Sequence, residues 1–228
     1  AIGRGIACGL THAHGEGVIH RDLKPGNVLL QDNEPAPIAK IADFGMARAS
    51  SLAGVDHQAM TVVGTPDYMA PESIDPLAVD LRSDLYALGI VLYEVVTGRH
   101  PFIEPDEPVE ADDLIAAHLE RAPQKPSHHV PRLSALYDEL IVALLAKRPA
   151  DRIESAAALS EALDAGETSR YWVGHERAAP GLAAQRRLRA LRRFAPTPLV
   201  GRQDELRELD RLLLRVTANG RGIAVRVT

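Results

Sequence analysis

Cysteine and long apolar runs are the scarce features of this 228-residue chain. Its one cysteine, Cys8, excludes an internal disulfide and fits a reducing cytoplasm, which is the location expected. Cys8 sits in an apolar helical stretch, so a buried packing role is expected for it rather than a reactive thiol. No apolar run approaches the roughly 18 to 20 residues needed to span a bilayer, and no signal-peptide pattern opens the chain. A soluble chain with no membrane segment is expected. The nine histidines are scattered, and pairs such as His128 and His129 lack partners at metal-ligand spacing, so no histidine metal site is expected. An initiator Met is also missing. The chain starts at Ala1 and stops at Thr228 within an apolar run, and it reads as an internal fragment of a longer protein.

Charge divides what is present. Residues 1 to 167 carry 13 Lys and Arg against 26 Asp and Glu, a net of −13, while the remainder has a net of +8. A domain boundary near Gly166 is expected. Ile2, Ile6 and Leu10 recur at four-residue spacing, which predicts a helix that Gly15 and Gly17 end. Val18-Ile19, Val28 to Leu30 and Ile38 to Ile41 are short β-favouring runs, the last two joined as a hairpin through the polar, Pro-bearing stretch from Gln31 to Pro37. Further on, Leu85, Leu88, Leu92 and Val95 predict one helix, and Leu133, Leu136, Leu140 and Leu144 another. The acidic run from Glu104 to Asp113 is read as a solvated loop.

Three motifs carry the chemistry. His20 to Asn27 reads His-Arg-Asp-Leu-Lys-Pro-Gly-Asn, Asp43-Phe44-Gly45 follows 21 residues after Asp22, and Gly64 to Glu72 reads Gly-Thr-Pro-Asp-Tyr-Met-Ala-Pro-Glu. In this order and spacing they resemble the catalytic half of a protein kinase, and the resemblance to bacterial Ser/Thr kinases of the eukaryotic type covers Ala1 to about Ala165. It implies a mainly α fold, the C-terminal lobe of a kinase with a small β-hairpin at the catalytic site, and an absent N-lobe. The Gly-rich strand pair, strand lysine and helix glutamate of such enzymes do not precede His20, and Gly3 and Gly5 are followed by Cys8 where a third glycine would stand.

The resemblance also implies roles. Asp22 would accept the substrate hydroxyl proton and aim the oxygen at the γ-phosphorus of ATP. Lys24 would neutralise charge on the γ-phosphate, and a lysine at this position points to Ser/Thr rather than Tyr acceptors. Asn27 and Asp43 would hold Mg2+, and Leu29 would pack beneath the adenine. His20 and Phe44 would join the apolar spine, and Thr65 would contact Asp22 and Lys24. Glu72 would pair with Arg152, and Asp84 would accept backbone N–H bonds from the catalytic loop. Arg21 would pair with a phosphate on the activation segment, with Thr61 as the main site and Ser50 and Ser51 as secondary ones.

Residues 166–198 read as a basic linker, with seven arginines and one glutamate between Thr168 and Pro198 and one short helix from Leu182 to Phe194. The arginines lack aromatic interleaving, so nucleic-acid binding is not expected of them. Leu199-Val200-Gly201-Arg202-Gln203-Asp204-Glu205-Leu206, followed by a helix and the strand Ile223 to Val227, resembles the opening of an AAA-type or STAND ATPase module over residues 199–228. The reading is therefore a Ser/Thr protein kinase fragment using ATP and Mg2+ on protein substrates. A regulatory scaffold with a vestigial kinase lobe is the alternative.

Overall fold

The four-residue apolar spacing at the start forms α1 (Ile2–Gly15), with Ile6, Ala7, Leu10 and Ala13 buried. The computed structural model describes residues 1–44, 66–74, 78–105 and 108–178. Gly17 takes the left-handed conformation, φ 71°, and the Val18 N–H returns to the Ala13 carbonyl at 2.9 Å. That bond and the use of the next N–H groups by a side chain explain why Val18-Ile19 forms no strand. The Val18 donor and those of His20 and Arg21 are already taken.

β1 (Val28–Gln31) and β2 (Ile38–Ile41) form the expected antiparallel hairpin, Val28 opposite Ile41 and Gln31 opposite Ile38. β2 lies on α1, where Ala39 is buried. A Cβ at Gly5 would come within 3.0 Å of the Ala39 carbonyl oxygen, so glycine there lets the strand approach the helix. The hairpin leaves Leu29, Leu30 and Ile38 exposed.

α2 (Leu81–Thr97) is the central helix. Asp80 caps it by accepting from the Arg82 N–H at 2.7 Å, and Gly98 ends it at φ 69° with its N–H on the Glu94 carbonyl. Every residue from Ser83 to Tyr93 is buried, which is the signature of a helix enclosed on all sides rather than of a one-stripe surface helix. Val95, expected on the apolar face, is 53% exposed. α3 (Ala111–Glu120), the short α4 (Pro126–His129), α5 (Ala135–Leu144) and α6 (Ala156–Ala165) complete this part. Leu136, Leu140, Ile141 and Leu144 of α5 are buried, while Leu133 lies before the Ser134 cap and outside the helix. The acidic run is not all loop: Asp112 and Asp113 form the first turn of α3, where the helix dipole favours carboxylates.

Cys8 is a correction. It is exposed, with its sulfur 3.2 Å from the Ser160 hydroxyl where α1 meets α6, because it lies on the polar flank of α1 rather than on the Ile6 and Leu10 stripe. The chain divides into two units, Ala1–Tyr171 and Trp172–Thr228. A helix, α7 (Arg170–Ala178), stands in the stretch read as linker; the helix expected at 182–194 and the module expected at 199–228 lie outside the described residues. No helix among the described residues is long and apolar enough to cross a membrane.

α2 and α5 approach each other closely in the core at Gly89. A Cβ on Gly89 would fall 2.8 Å from the Leu144 Cβ, an atom that cannot move without its backbone. Alanine is the better helix former by about 1 kcal/mol. We nevertheless expect Gly89→Ala to destabilise the protein by about 1–3 kcal/mol through overpacking, measured as a fall in the urea midpoint. An unchanged or raised midpoint would mean that the two helices have room to part.

Candidate active site

Asp84, in the first turn of α2, is 1% exposed and organises the loop that carries Asp22. Its Oδ2 accepts from the His20 N–H and its Oδ1 from the Arg21 N–H, both at 2.8 Å. The ring Nε2 of His14, in the last turn of α1, stands 2.8 Å from Oδ2. A buried carboxylate is tolerated when its lone pairs are used, and these three contacts use them. They also hold Arg21 at φ 67°, a left-handed conformation that a non-glycine residue keeps only when its surroundings over-determine it. His14 carries no motif, and in the sequence only its place on the helix before the loop hints at it.

His20 links this loop to the end of the hairpin. Its Nδ1 accepts from the Asp22 N–H at 3.3 Å and its Nε2 lies 2.9 Å from the Ala42 carbonyl. A backbone N–H can only donate and a carbonyl only accept, so the ring is neutral with its proton on Nε2. The Ala42 N–H in turn donates to the Asn27 carbonyl at 2.8 Å, and the Phe44 ring packs edge-on against His20 at 4.8 Å. Asp43, between them, is left-handed at φ 59°. The hairpin and these bonds thus bring residues 20–27 and 42–44 to one place.

Within it, the Lys24 ammonium donates to both Asp22 carboxylate oxygens, at 3.1 and 2.8 Å. Asn27, buried, donates from Nδ2 to the Asp22 carbonyl at 2.7 Å and to Oδ2 at 3.1 Å. The Asp22 and Lys24 side chains remain 55% and 43% exposed, a setting in which an ion pair adds at most about 1 kcal/mol of stability. The pair is therefore no fold device. Leu29, 57% exposed, sits on the hairpin beside this group, and Phe44 is 40% exposed. Thr65, Thr61, Ser50 and Ser51 lie outside the described residues.

A second polar knot lies deeper. Arg152 donates to both Glu72 oxygens at 2.7 Å and to the carbonyls of Ala146, Arg82 and Lys147, which uses all five of its N–H groups. Ser83 adds a 2.6 Å bond to Glu72, and the guanidinium lies 4.9 Å from the Tyr86 ring. Burial alone would raise the Glu72 pKa, but the bonds from Arg152 and Ser83 outweigh it and the net direction is down from 4.5.

This arrangement sits in a chain whose residues 1–163 match the protein kinase domain family, and the chain belongs to that family. It is 42% identical over 173 residues to the serine/threonine-protein kinase Pkn1 of Myxococcus xanthus, a match covering 75% of this chain and 24% of that protein. Over 149 residues it is 40% identical to the serine/threonine-protein kinase PknB of Mycobacterium tuberculosis, covering 65% and 23% respectively. Among solved structures, a single-site mutant of the kinase domain of Mycobacterium tuberculosis PknI aligns with a TM-score of 0.50 and 29% identity over 72% of this chain and 52% of that one. The chain spans about a quarter of the length of these curated relatives.

Removing one partner of the Glu72–Arg152 pair strands the other as a buried charge. Arg152→Ala should destabilise the protein by about 3–5 kcal/mol, read from urea unfolding, with a loss below about 1 kcal/mol placing the pair among ordinary surface ion pairs. The pH dependence has a definite sign. Because the Glu72 pKa is lowered on folding, its contribution is complete above the unfolded value of 4.5 and is lost as pH falls through the lower folded value. Glu72→Gln should therefore flatten the acid limb of the stability profile, and an acid limb identical to wild type would assign acid unfolding to other carboxylates.

Proposed function

We propose that the protein transfers the γ-phosphate of ATP to Ser or Thr hydroxyls of protein substrates. The observation that carries this is the Asp22 carboxylate, exposed and flanked by Lys24 and Asn27, on a backbone that buried Asp84 holds in place. Phosphoryl transfer through a loose transition state asks for orientation and charge neutralisation more than for a strong base. Asp22 would accept the hydroxyl proton and direct its oxygen. Lys24, on the same carboxylate, would neutralise charge on the transferred group and favours Ser/Thr acceptors.

The donor set fits Mg2+. Asn27 uses its amide nitrogen on Asp22, which leaves Oδ1 without a hydrogen bond among the described residues, and the Asp43 carboxylate has none there either. Two hard oxygen ligands suit a cation that is usually completed by phosphates and water rather than caged by protein. Bound Mg2+ and ATP would supply the phosphoryl group and the neutralised phosphates. Leu29, exposed beside the loop, offers an apolar face for the adenine. The Arg21 guanidinium has no partner among the described residues, which leaves it available to a phosphate on Thr61, or secondarily on Ser50 or Ser51. Thr65 would steady Asp22 and Lys24 from the activation segment.

The parent protein is read as cytoplasmic, with residues 199–228 opening an AAA- or STAND-type ATPase module and no nucleic-acid role for the basic stretch. In this sequence no Gly-rich loop motif and no lysine stands ahead of His20. This chain is therefore expected neither to grip Mg-ATP tightly nor to autophosphorylate by itself. The test is transfer of labelled phosphate from ATP to a Ser-containing peptide by the full-length protein. Asp22→Asn should lower kcat by about 10²- to 10⁴-fold while leaving the fold intact. A full-length protein without transfer, or an Asp22→Asn variant as active as wild type, would end the proposal.

A further inference from the structure

The end of α2 and the loop after it enclose a cavity of about 80 Å³ that none of Asp22, Lys24, Asn27 and Asp43 lines. A water needs about 10–15 Å³ of such space, so the cavity takes a group of several non-hydrogen atoms. Tyr93, near the end of α2, lines it and is 1% exposed. Its hydroxyl has no hydrogen-bond partner among the described residues, although a buried phenol ordinarily finds one. Burial, then the Glu104 charge, raise the Tyr93 pKa against the pull of Arg99, so the hydroxyl stays neutral with a proton to donate.

Other donors line the same space. Arg99 follows the Gly98 cap, Arg121 ends α3, Gln124 precedes α4 and His129 closes it. The side chains of Arg99 and Gln124 and the ring nitrogens of His129 have no hydrogen bond or ion pair among the described residues. The His129 ring stands edge-on to Tyr93 at 6.2 Å. Arg121 makes one long bond, from Nη1 to the Phe102 carbonyl at 3.4 Å. The loop between them is fixed by His100, whose Nδ1 accepts from the Phe102 N–H at 3.2 Å and whose Nε2 donates to the Asp67 carbonyl at 2.8 Å. The wall is therefore formed before anything binds. Glu104 is the acid of the lining, and it too has no ion pair among the described residues.

We propose that this cavity binds a phosphate group, held by Arg99 and Arg121 at its rim and by the Tyr93 hydroxyl at its floor. Two guanidiniums, a phenol, an amide and an imidazole are donors in search of acceptors, and a tetrahedral dianion is all acceptor. A guanidinium fork takes two of its oxygens at once. One carboxylate against two guanidiniums leaves the lining positive, and the Lys147 ammonium lies near enough to Arg121 to feel its charge. Glu104 opposes an anion here, which gives the proposal a sign that a site for a cation would reverse. The site stands apart from transfer at Asp22 and does not rest on that reading. Free phosphate and a phosphorylated Ser or Thr side chain offer it the same chemistry.

The test is calorimetric titration of the full-length protein with inorganic phosphate at fixed ionic strength. Saturable binding with a Kd of about 10 mM or tighter is expected. Arg99→Ala and Arg121→Ala should each weaken it about ten-fold, the loss of one charge-assisted hydrogen bond. Tyr93→Phe, which keeps the ring in the core, should weaken it about three-fold, and Glu104→Gln should tighten it. Both arginines are exposed, and the urea midpoint of each variant checks that the fold is kept. Absence of saturable binding, binding that none of the first three variants weakens, or weaker binding in Glu104→Gln overturns the proposal. A phosphoserine peptide and its unphosphorylated form are then titrated against bound phosphate. Displacement by the phosphoserine form alone makes a modified protein the source, displacement by neither supports the free ion, and displacement by the unphosphorylated form overturns a phosphate site.

Discussion

The Asp84 carboxylate is the constraint on which the functional part of this structure depends. It sits in the most enclosed helix of the described residues, takes two consecutive backbone N–H groups of the loop bearing Asp22, and meets His14 from α1. One side chain thereby ties three separate stretches of chain together. The same bonds hold Arg21 in a conformation it would not adopt alone. A carboxyl group buried this deeply would be a liability if its contacts were lost, which couples the loop geometry to the core.

A different logic governs Glu72 and Arg152. Their pair joins the segment after the catalytic block to the corner before α6, and the arginine spends every N–H it has on a carboxylate or a carbonyl. Burial works against the charge and the hydrogen bonds win, as the lowered Glu72 pKa records. The knot also reaches sideways. Tyr86 lies beneath the guanidinium and contacts His118, and Lys147 offers Arg152 its carbonyl while its ammonium clamps the end of α3. Burial, then the nearby Arg152 and Arg121 charges, push that ammonium down to about 8, so electrostatic repulsion within the corner is balanced by specific acceptors rather than by distance.

Much of the site is legible in the sequence because its residues are fixed in type by chemistry and in order by the chain. The hairpin, α1 and α2 follow from periodicity and turn residues, and the expected partners Glu72 and Arg152 do meet, 80 residues apart. What was not legible depends on three-dimensional neighbours. His14 and His100 are single histidines whose importance comes from what lies opposite, an Asp84 oxygen and an Asp67 carbonyl. Cys8 reads as apolar by its context but faces Ser160. The apolar stripe expected of α2 is too narrow because period alone cannot tell a helix covered on one side from one covered on all. Val18-Ile19 has β-branched character, yet the Val18 N–H is claimed by a helix end and the N–H groups of His20 and Arg21 by a carboxylate.

The contrast between frame and site has a consequence for how such a protein evolves and fails. The groups that keep the loop in shape are buried and mutually satisfied, whereas Asp22 and Lys24 are half-exposed and contribute little to folding. Stability and the proposed chemistry therefore lie on different residues. Changes at Asp22 or Lys24 leave the frame standing as a folded protein without its chemistry, which is how a regulatory scaffold could arise from the same fold. Changes at Asp84 remove both together, because the carboxylate that satisfies the core is the one that aims the loop. Under the proposed function, Asp22 and Lys24 are the residues whose presence distinguishes catalysis from a vestigial lobe, since their half-exposed side chains are not held there by the needs of folding.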